Sequence, residues 1–251
     1  MDDPSPRARG RYDPASPEPY RLSRTKLELF LECPRCFHLD RRLGIQRPDG
    51  PPFSLNLAVD RLLKREFDLY RARGEPHPMM TWHGVDAVPL RHRDLDRWRE
   101  AARGVQWLHR RTSFLVFGAL DDVWAAPDGS LAVVDYKATS TPRDITLEGE
   151  WKGRYKRQVE TYQWLLRREG HAVSDRAYFV FANAEQGRRS FDGRLEFAMH
   201  VLPYDGSDAW VEDALVAAKE CLSHEKPPPF REGCEWCAYR RLARGAEKAQ
   251  D

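Results

Sequence analysis

An aspartate and a lysine lie at the end of an apolar run in the middle of the chain. Asp135 and Lys137 lie two positions apart, and residues two apart on a β-strand project from the same face. The upstream run at 114–124 also has the composition of a strand and contains Asp121 and Asp122. Carboxylates and a lysine on neighbouring strands are the groups that metal-dependent hydrolysis of a phosphodiester requires.

That reaction needs a water that is nucleophilic near neutral pH and a way to stabilise developing negative charge. A divalent cation supplies both, because it lowers the pKa of its bound water from 15.7 to about 7 in favourable sites. Mg²⁺ and Mn²⁺ prefer oxygen ligands, so converging aspartates are the expected site. A nearby lysine can orient the water or neutralise the charge that develops.

The first strand offers two adjacent acids, and the register of the hairpin decides which one faces the cation. A Pro-Asp-Gly-Ser sequence at 127–130 predicts the turn. If Ala126 pairs with Ser130, Asp121 lies opposite Asp135. If Pro127 pairs with Ser130 instead, Asp122 lies opposite Asp135. A shift of one residue in the register turns the opposite face of the strand toward the cation. The sequence alone does not decide between the two pairings.

The acid-x-lysine pattern has a purely structural alternative, an ion pair on an edge strand. It also occurs at Glu150-Trp151-Lys152, in a polar segment where a solvated face is the better interpretation. For Asp135 and Lys137 we favour the functional interpretation. Charges at the end of an apolar strand are costly unless they are paired or hold a cation.

Four of the five cysteines form two CxxC pairs, Cys33 with Cys36 and Cys234 with Cys237. In a cytosolic chain such pairs favour metal ligation over disulfides. A two-residue spacer lets both thiolates reach one tetrahedral centre, and the second pair completes it. We therefore predict one four-thiolate site that joins the two ends of the chain. The alternatives are a redox pair and buried structural thiols, and Cys221 is expected in the core on a helix.

Composition is typical of a soluble globular protein, with 251 residues, 41% hydrophobic and 11% aromatic. No apolar run approaches the ~20 residues of a membrane helix, and no apolar signal region begins the chain, so we expect a cytoplasmic protein without membrane contact. Lys and Arg exceed Asp and Glu by only 41 to 39. A basic cluster at 152–157, with Tyr155 inside it, could contact phosphates and stack bases, although a charged outer helix face is the commoner explanation.

Periodicity and turn residues predict helices, then a hairpin, then a helix, two strands and a helix, which is an α/β or α+β arrangement with a mixed sheet. Ser23 is predicted to cap a helix that runs through Leu31 and that Pro34 breaks or restarts. The other predicted helices are Ser54 to Gly74, 94–109, 151–168 and 209–222, and the predicted strands are 114–124, 131–138, 178–182 and 195–202. Residues 1–20 are expected to form a disordered tail, residues 21–242 a single domain and residues 243–251 a frayed tail.

Four motifs follow one another in a recognisable order. A helix leads to Cys33 and a proline, residues 118–121 read Gly-Ala-Leu-Asp, and residues 135–137 read Asp-Tyr-Lys. Gln158 and Tyr162 are spaced four apart, on one face of a predicted helix. Together they resemble the RecB-like nucleases of the PD-(D/E)XK superfamily, including the AddB-type and CRISPR-adaptation-type members, over most of the chain.

The resemblance implies an α/β fold with a restriction-endonuclease-like core: a central mixed β-sheet flanked by helices, N-terminal helices and a C-terminal cysteine clamp. It selects Asp121 from the two adjacent acids as a metal ligand, with Asp135 as another. Lys137 would assist the water. Gln158 and Tyr162 would line the active site and the DNA path.

The implied activity is that of a deoxyribonuclease using Mg²⁺ or Mn²⁺. An exonuclease acting on single-stranded DNA ends in repair, recombination or defence is the default, with a helicase or recombination protein as a possible partner. One alternative is a nucleic-acid-binding accessory protein that keeps the fold without turnover. Another is a cysteine-metal interaction module whose acid–lysine strand is structural.

The chain departs from the family pattern in two places. Many members carry a histidine ligand on the helix before the sheet, where this chain has Asp60, either a third metal ligand or a solvated residue. The iron–sulfur branch usually has one early and three late cysteines, whereas this chain has two and two. A 4Fe–4S cluster is the expected occupant, with Zn²⁺ as the alternative, since both accept four thiolates.

Overall fold

The structure is a computed structural model that describes residues 10–48, 50, 54–149 and 152–249. Its elements in chain order are β1 (Tyr20–Ser23), α1 (Arg24–Glu32), α2 (Pro34–Arg41), α3 (Ser54–Arg73), α4 (Pro78–Trp82), β2 (Val88–Pro89), α5 (Leu95–Arg99), β3 (Val105–His109), β4 (Phe114–Gly118), β5 (Asp122–Ala125), β6 (Leu131–Thr139), α6 (Lys152–Arg168), β7 (Arg176–Ala184), β8 (Phe197–Asp205), α7 (Val211–Ser223) and α8 (Glu235–Lys248).

These elements fall into two compact units, each built from several chain segments. The first comprises the described parts of Met1–Gly50, Leu108–Val116 and Ala209–Asp251. The second comprises those of Pro51–Trp107 and Phe117–Asp208. A single domain over 21–242 therefore stays a prediction. None of the helices in the described ranges has the length and apolar composition that a membrane span needs.

The second unit is organised around a five-stranded sheet in the order β2-β5-β6-β7-β8. The strands β6 and β7 are parallel, and α6 provides the crossover connection that a parallel pair needs. The pairs β5–β6 and β7–β8 are antiparallel. Helices cover both faces: Phe67 of α3 stacks on Trp124, while Tyr155 of α6 packs against Phe179 and Phe181. The predicted mixed α/β sheet flanked by helices is confirmed.

The register of the β5–β6 hairpin is fixed at its turn. Ala126 N donates to Ser130 O at 2.9 Å, and Asp122 pairs with Val134. Continued by one residue, this register places Asp121 opposite Asp135. Directly opposed residues on antiparallel strands share a face. Asp121 and Asp135 therefore lie on one face of the sheet and Asp122 on the other.

In the first unit, two sequence signals act as predicted. The hydroxyl of Ser23 accepts the N–H of Lys26 at 3.3 Å and caps α1. Pro34 begins α2, where its missing N–H costs nothing. Residues 1–9 of the expected tail lie outside the described residues, whereas Tyr12 is buried and donates its N–H to Arg41 O.

Two predicted elements differ from the structure. The helix predicted over 94–109 is wrong: α5 ends at Arg99, and Gly104, with φ +62°, leads into β3. The single strand predicted over 114–124 is two strands, because Leu120 N bonds to Trp98 O at 3.1 Å instead of continuing a ladder. Each difference lies at a contact between segments separated in sequence: Leu120 N bonds to Trp98 O, and Gly104 lies against the carbonyl of Gly118.

We predict that Gly104→Ala lowers the free energy of unfolding by roughly 3 kcal/mol or more, because a Cβ would overlap the backbone of Gly118 in addition to the unfavourable φ. Gly129→Ala is the matched control, with φ +81° and open space around it, and should cost about 1 kcal/mol. Urea unfolding of both variants measures the difference. Equal losses would contradict the close approach at Gly104.

Candidate active site and cysteine centre

The predicted acid and lysine of β6 lie together at one end of a buried strand. Asp135 is 1% exposed and forms an ion pair with Lys137 Nζ. The same Nζ donates to Gln158 Oε1 of α6 at 3.2 Å. A carboxylate and an amide therefore hold the ammonium group of Lys137 in place.

Asp121 lies in the loop before β5, next to the strand that carries Asp135 and Lys137. Its Oδ2 accepts the backbone N–H of Tyr136 at 3.0 Å, and its Oδ1 accepts from Lys64 Nζ at 3.0 Å. The side chain of Asp121 is partly exposed, about one fifth, whereas that of Asp135 is enclosed. The hairpin register therefore puts one partly exposed and one enclosed carboxylate on the same face of the sheet.

Asp122 faces the other side of the sheet and is fully buried. It accepts from Arg71 Nη2 and from the hydroxyl of Tyr136, each at 2.6 Å, and lies 3.0 Å from Arg99 Nη2. Burial and the negative charge of Asp122 hold the pKa of Tyr136 well above its usual value. Asp122 is therefore a structural anion enclosed by its partners, and Asp121 is the acid available to a ligand.

The electrostatics of Lys137 are dominated by its acidic neighbours. Burial lowers the pKa of Lys137, but the charges of Asp135 and Asp121 oppose this effect and outweigh it, so the pKa lies above its usual value. The side chain is therefore a cation at neutral pH. Its chemistry is to donate hydrogen bonds and stabilise negative charge rather than to remove a proton.

Asp60 lies beside Asp121, with Lys64 between them. Lys64 Nζ is 2.8 Å from Asp60 Oδ1 and bridges the two carboxylates. Burial and the charge of Asp121 raise the pKa of Asp60. Sequence reasoning identified Asp60 but missed Lys64, although its i,i+4 spacing from Asp60 was a usable signal.

Gln158 and Tyr162 share a helix face but make different contacts. Gln158 reaches Lys137, whereas the hydroxyl of Tyr162 donates to Ala119 O at 2.5 Å. Ala119 belongs to the loop that carries Asp121. The structure thus places Tyr162 where it anchors this loop.

The basic cluster predicted over 152–157 borders the same acids. Lys137 Nζ lies 4.5 Å from the ring centroid of Tyr155, and Lys152 Nζ lies 5.2 Å from it on α6. Burial and the charge of Lys137 lower the pKa of Lys152. Cations and an aromatic ring therefore lie next to the carboxylates. Glu150 and Trp151, from the second acid-x-lysine sequence, lie outside the described residues.

The four cysteines of the CxxC pairs meet in the first unit. Their sulfur atoms all lie within 4.8 Å of one another, which makes them a candidate metal site. Cys33 Sγ is 3.5 Å from Cys237 Sγ, and Cys36 Sγ is 3.7 Å from Cys234 Sγ. Cys221 lies elsewhere, buried on α7 as predicted.

Both pairs use the same local geometry. Cys33 is the N-cap of α2 and Cys234 the N-cap of α8, so the second cysteine of each pair lies in the first helical turn. Burial raises the pKa of the Cys33 and Cys36 thiols. Burial also acts to raise the pKa of Cys234, but the N–H of Cys237 and the neighbouring thiols outweigh it and lower the pKa.

The three aspartates are less tightly grouped than the cysteines. Among the described residues, no group of three or more Asp or Glu has its oxygens placed closely enough to hold a metal ion as they stand. Asp60 and Asp121 are held by Lys64, and Asp135 by Lys137. The lysines therefore neutralise the acids that a cation would share.

We predict that Asp122→Asn lowers the free energy of unfolding by roughly 3 kcal/mol, because it removes the buried anion beside Arg71 and Arg99 and leaves them only the half-exposed Asp68 as an acidic partner. Asp121→Asn is the matched control one residue away and should change stability by roughly 1 kcal/mol or less, since its carboxylate is partly exposed. Urea unfolding measures both. Similar losses in the two variants would contradict the assignment of Asp122 as the structural acid.

Comparison with known proteins gives three results. No curated protein matches the sequence. Among solved structures, the crystal structure of SSO0001 aligns with a TM-score of 0.42 and 16% identity, covering 90% of this chain and 87% of that chain.

The third result concerns the family. The model of the PD-(D/E)XK nuclease superfamily matches residues 21–242. That range includes both facing aspartates of the hairpin, the lysine beside them and the two cysteine pairs. The protein belongs to the PD-(D/E)XK nuclease superfamily.

Proposed function

We propose that this protein is a metal-dependent deoxyribonuclease of the RecB-like branch, acting as an exonuclease on single-stranded DNA ends in repair, recombination or defence. Superfamily membership indicates a metal-dependent nuclease. The observation that carries the proposal is that Asp121, Asp135 and Lys137 lie close together on one face of the sheet. A helicase or recombination partner and a cytoplasmic location stay predictions.

The donor set fits Mg²⁺ or Mn²⁺. Asp121 and Asp135 would hold the cation with Asp60 as a third ligand, because hard divalent cations prefer carboxylate oxygens. Asp60 lies beside Asp121, since Lys64 Nζ contacts both carboxylates. When bound, the cation would supply a water of lowered pKa and polarise the phosphate.

Lys137 has the position and charge of a group that stabilises the reacting phosphate. Asp135 and Gln158 restrict its ammonium group, and the ring of Tyr155 packs against it. A preoriented cation stabilises developing charge without reorganising during the reaction. Tyr162 acts indirectly, by holding the loop of Asp121 through Ala119 O.

The first two turns of α6 supply features suited to a single strand. Tyr155 is partly buried with Lys152 beside it, and Lys156 Nζ lies 5.3 Å from the ring centroid of Tyr204. Single-stranded nucleic acid is bound by basic grooves that follow the phosphates and by aromatic rings on which bases stack. This combination supports single-stranded DNA as the substrate.

A second candidate function is nucleic-acid binding without turnover. Lys64 favours it, because its ammonium group lies between Asp60 and Asp121, where a metal ion would need their oxygens. The cleavage assay below separates the two functions.

We predict that the parent protein degrades end-labelled single-stranded DNA with Mn²⁺ and that chelator abolishes the activity. Lys137→Met should lower kcat by roughly 10²–10³-fold, because it removes a positioned donor to the transition state. Lys248→Met, which changes an exposed lysine at the end of α8, is the control and should retain parental activity. Product lengths over time reveal whether the ends are attacked.

Two results would overturn this proposal. One is cleavage by Lys137→Met at the parental rate. The other is DNA binding by the parent without any cleavage, which supports the accessory function instead.

We predict that Lys64→Gln increases the affinity for Mn²⁺ by about three- to tenfold, because it removes a cation that competes for the oxygens of Asp60 and Asp121. Arg65→Gln is the matched control, an exposed basic residue next to it on α3. Isothermal titration calorimetry with Mn²⁺ measures both. Weaker binding in Lys64→Gln than in Arg65→Gln would show that Lys64 supports the ion instead.

A further inference from the structure

We infer that the four cysteine thiolates hold one tetrahedral metal ion, Zn²⁺, rather than a four-iron cluster. The inference concerns the first unit alone and does not depend on the proposed nuclease activity. It rests on the separation of the sulfur atoms, the arrangement of the two pairs and the charges around them.

The sulfur separations match the size of a single-ion site. With a Zn–S bond of about 2.3 Å, a regular tetrahedron has sulfur-to-sulfur edges of about 3.8 Å. The two closest contacts are 3.5 Å and 3.7 Å, and all four sulfurs lie within 4.8 Å of one another. One ion could be bound with only small side-chain movements.

A 4Fe–4S cluster requires a larger arrangement. Each of its four thiolates binds a different iron, so the body of the cluster separates the sulfurs by more than the 4.8 Å observed here. Cys33, Cys36 and Cys237 are buried and packed together, with Leu29 against them. To admit a cluster, these buried sulfur atoms would have to move apart.

The pairing of the sulfurs indicates one shared centre. Each close contact joins a cysteine of one CxxC pair to a cysteine of the other, Cys33 to Cys237 and Cys36 to Cys234. All four are free thiols in the structure. Two independent redox pairs would instead bring the members of each pair closest to each other.

The surroundings compensate the charge of such a site. Four thiolates and one dication carry a net charge of −2, and the N-termini of α2 and α8 direct partial positive charge at them. Arg47 Nη2 lies 3.7 Å from Cys234 Sγ, and Glu32 holds this arginine at 2.9 Å. Positive groups near a thiol favour the thiolate, which is the form that binds metal.

The test is the metal content of the full-length protein, purified anaerobically from cells supplied with both iron and zinc. We expect one zinc per chain by mass spectrometry, a colourless solution and no acid-labile sulfide. Replacement by Co²⁺ should give the visible absorption of a tetrahedral thiolate site. A brown protein containing iron and sulfide would overturn the inference, as would a protein with neither metal.

Variants make the test independent of folding failure. Cys237→Ser should lose the zinc, and Cys221→Ser is the matched control that should keep it, because Cys221 is a buried cysteine outside the cluster. If Cys237→Ser does not fold, Cys234→His replaces it, since Cys₃His also forms a closed zinc site and Cys234 is only partly buried. Retained zinc in Cys234→His supports the inference, and loss of the metal contradicts it.

Discussion

The register of β5 against β6 is the constraint on which the candidate active site depends. The bond from Ala126 N to Ser130 O sets that register, and a strand shifted by one residue would present the opposite face. With the observed register, Asp121 faces Asp135, while Asp122 enters the core on the other face. One turn therefore decides which of two neighbouring acids is structural and which is available for binding.

Charge compensation explains how the fold accommodates the acids. Lys137 pairs with Asp135, and Lys64 bridges Asp60 and Asp121. Unpaired buried charges are costly, so each lysine stabilises the folded state. The two lysines nevertheless differ in the effect that we expect on the binding of a phosphate and a cation. In the proposed function, Lys137 stabilises the phosphate, whereas Lys64 occupies oxygens that the proposed cation would need.

The sequence predicts those structural features that are determined by residues adjacent along the chain. The cap at Ser23 and the helix start at Pro34 follow from adjacent residues and were predicted. The strand β3 lies where the sequence predicts a helix. It was not predicted because Gly104, just before it, contacts Gly118 in a separate segment of the chain. Lys64 was missed for a related reason: a lysine four residues after an acid is usually a solvated helix pair. The distances between the cysteine sulfurs likewise required the folded chain.

The central claim is that Asp121 and Asp135 bind a divalent cation beside Lys137. The most direct test is a crystal structure of the protein grown with Mn²⁺, read by anomalous scattering at the manganese edge. We expect a peak about 2 Å from an oxygen of each of these aspartates, with Lys64 displaced from Asp121. Crystals in saturating Mn²⁺ with no peak there, and with Lys64 still bonded to Asp121, would contradict it.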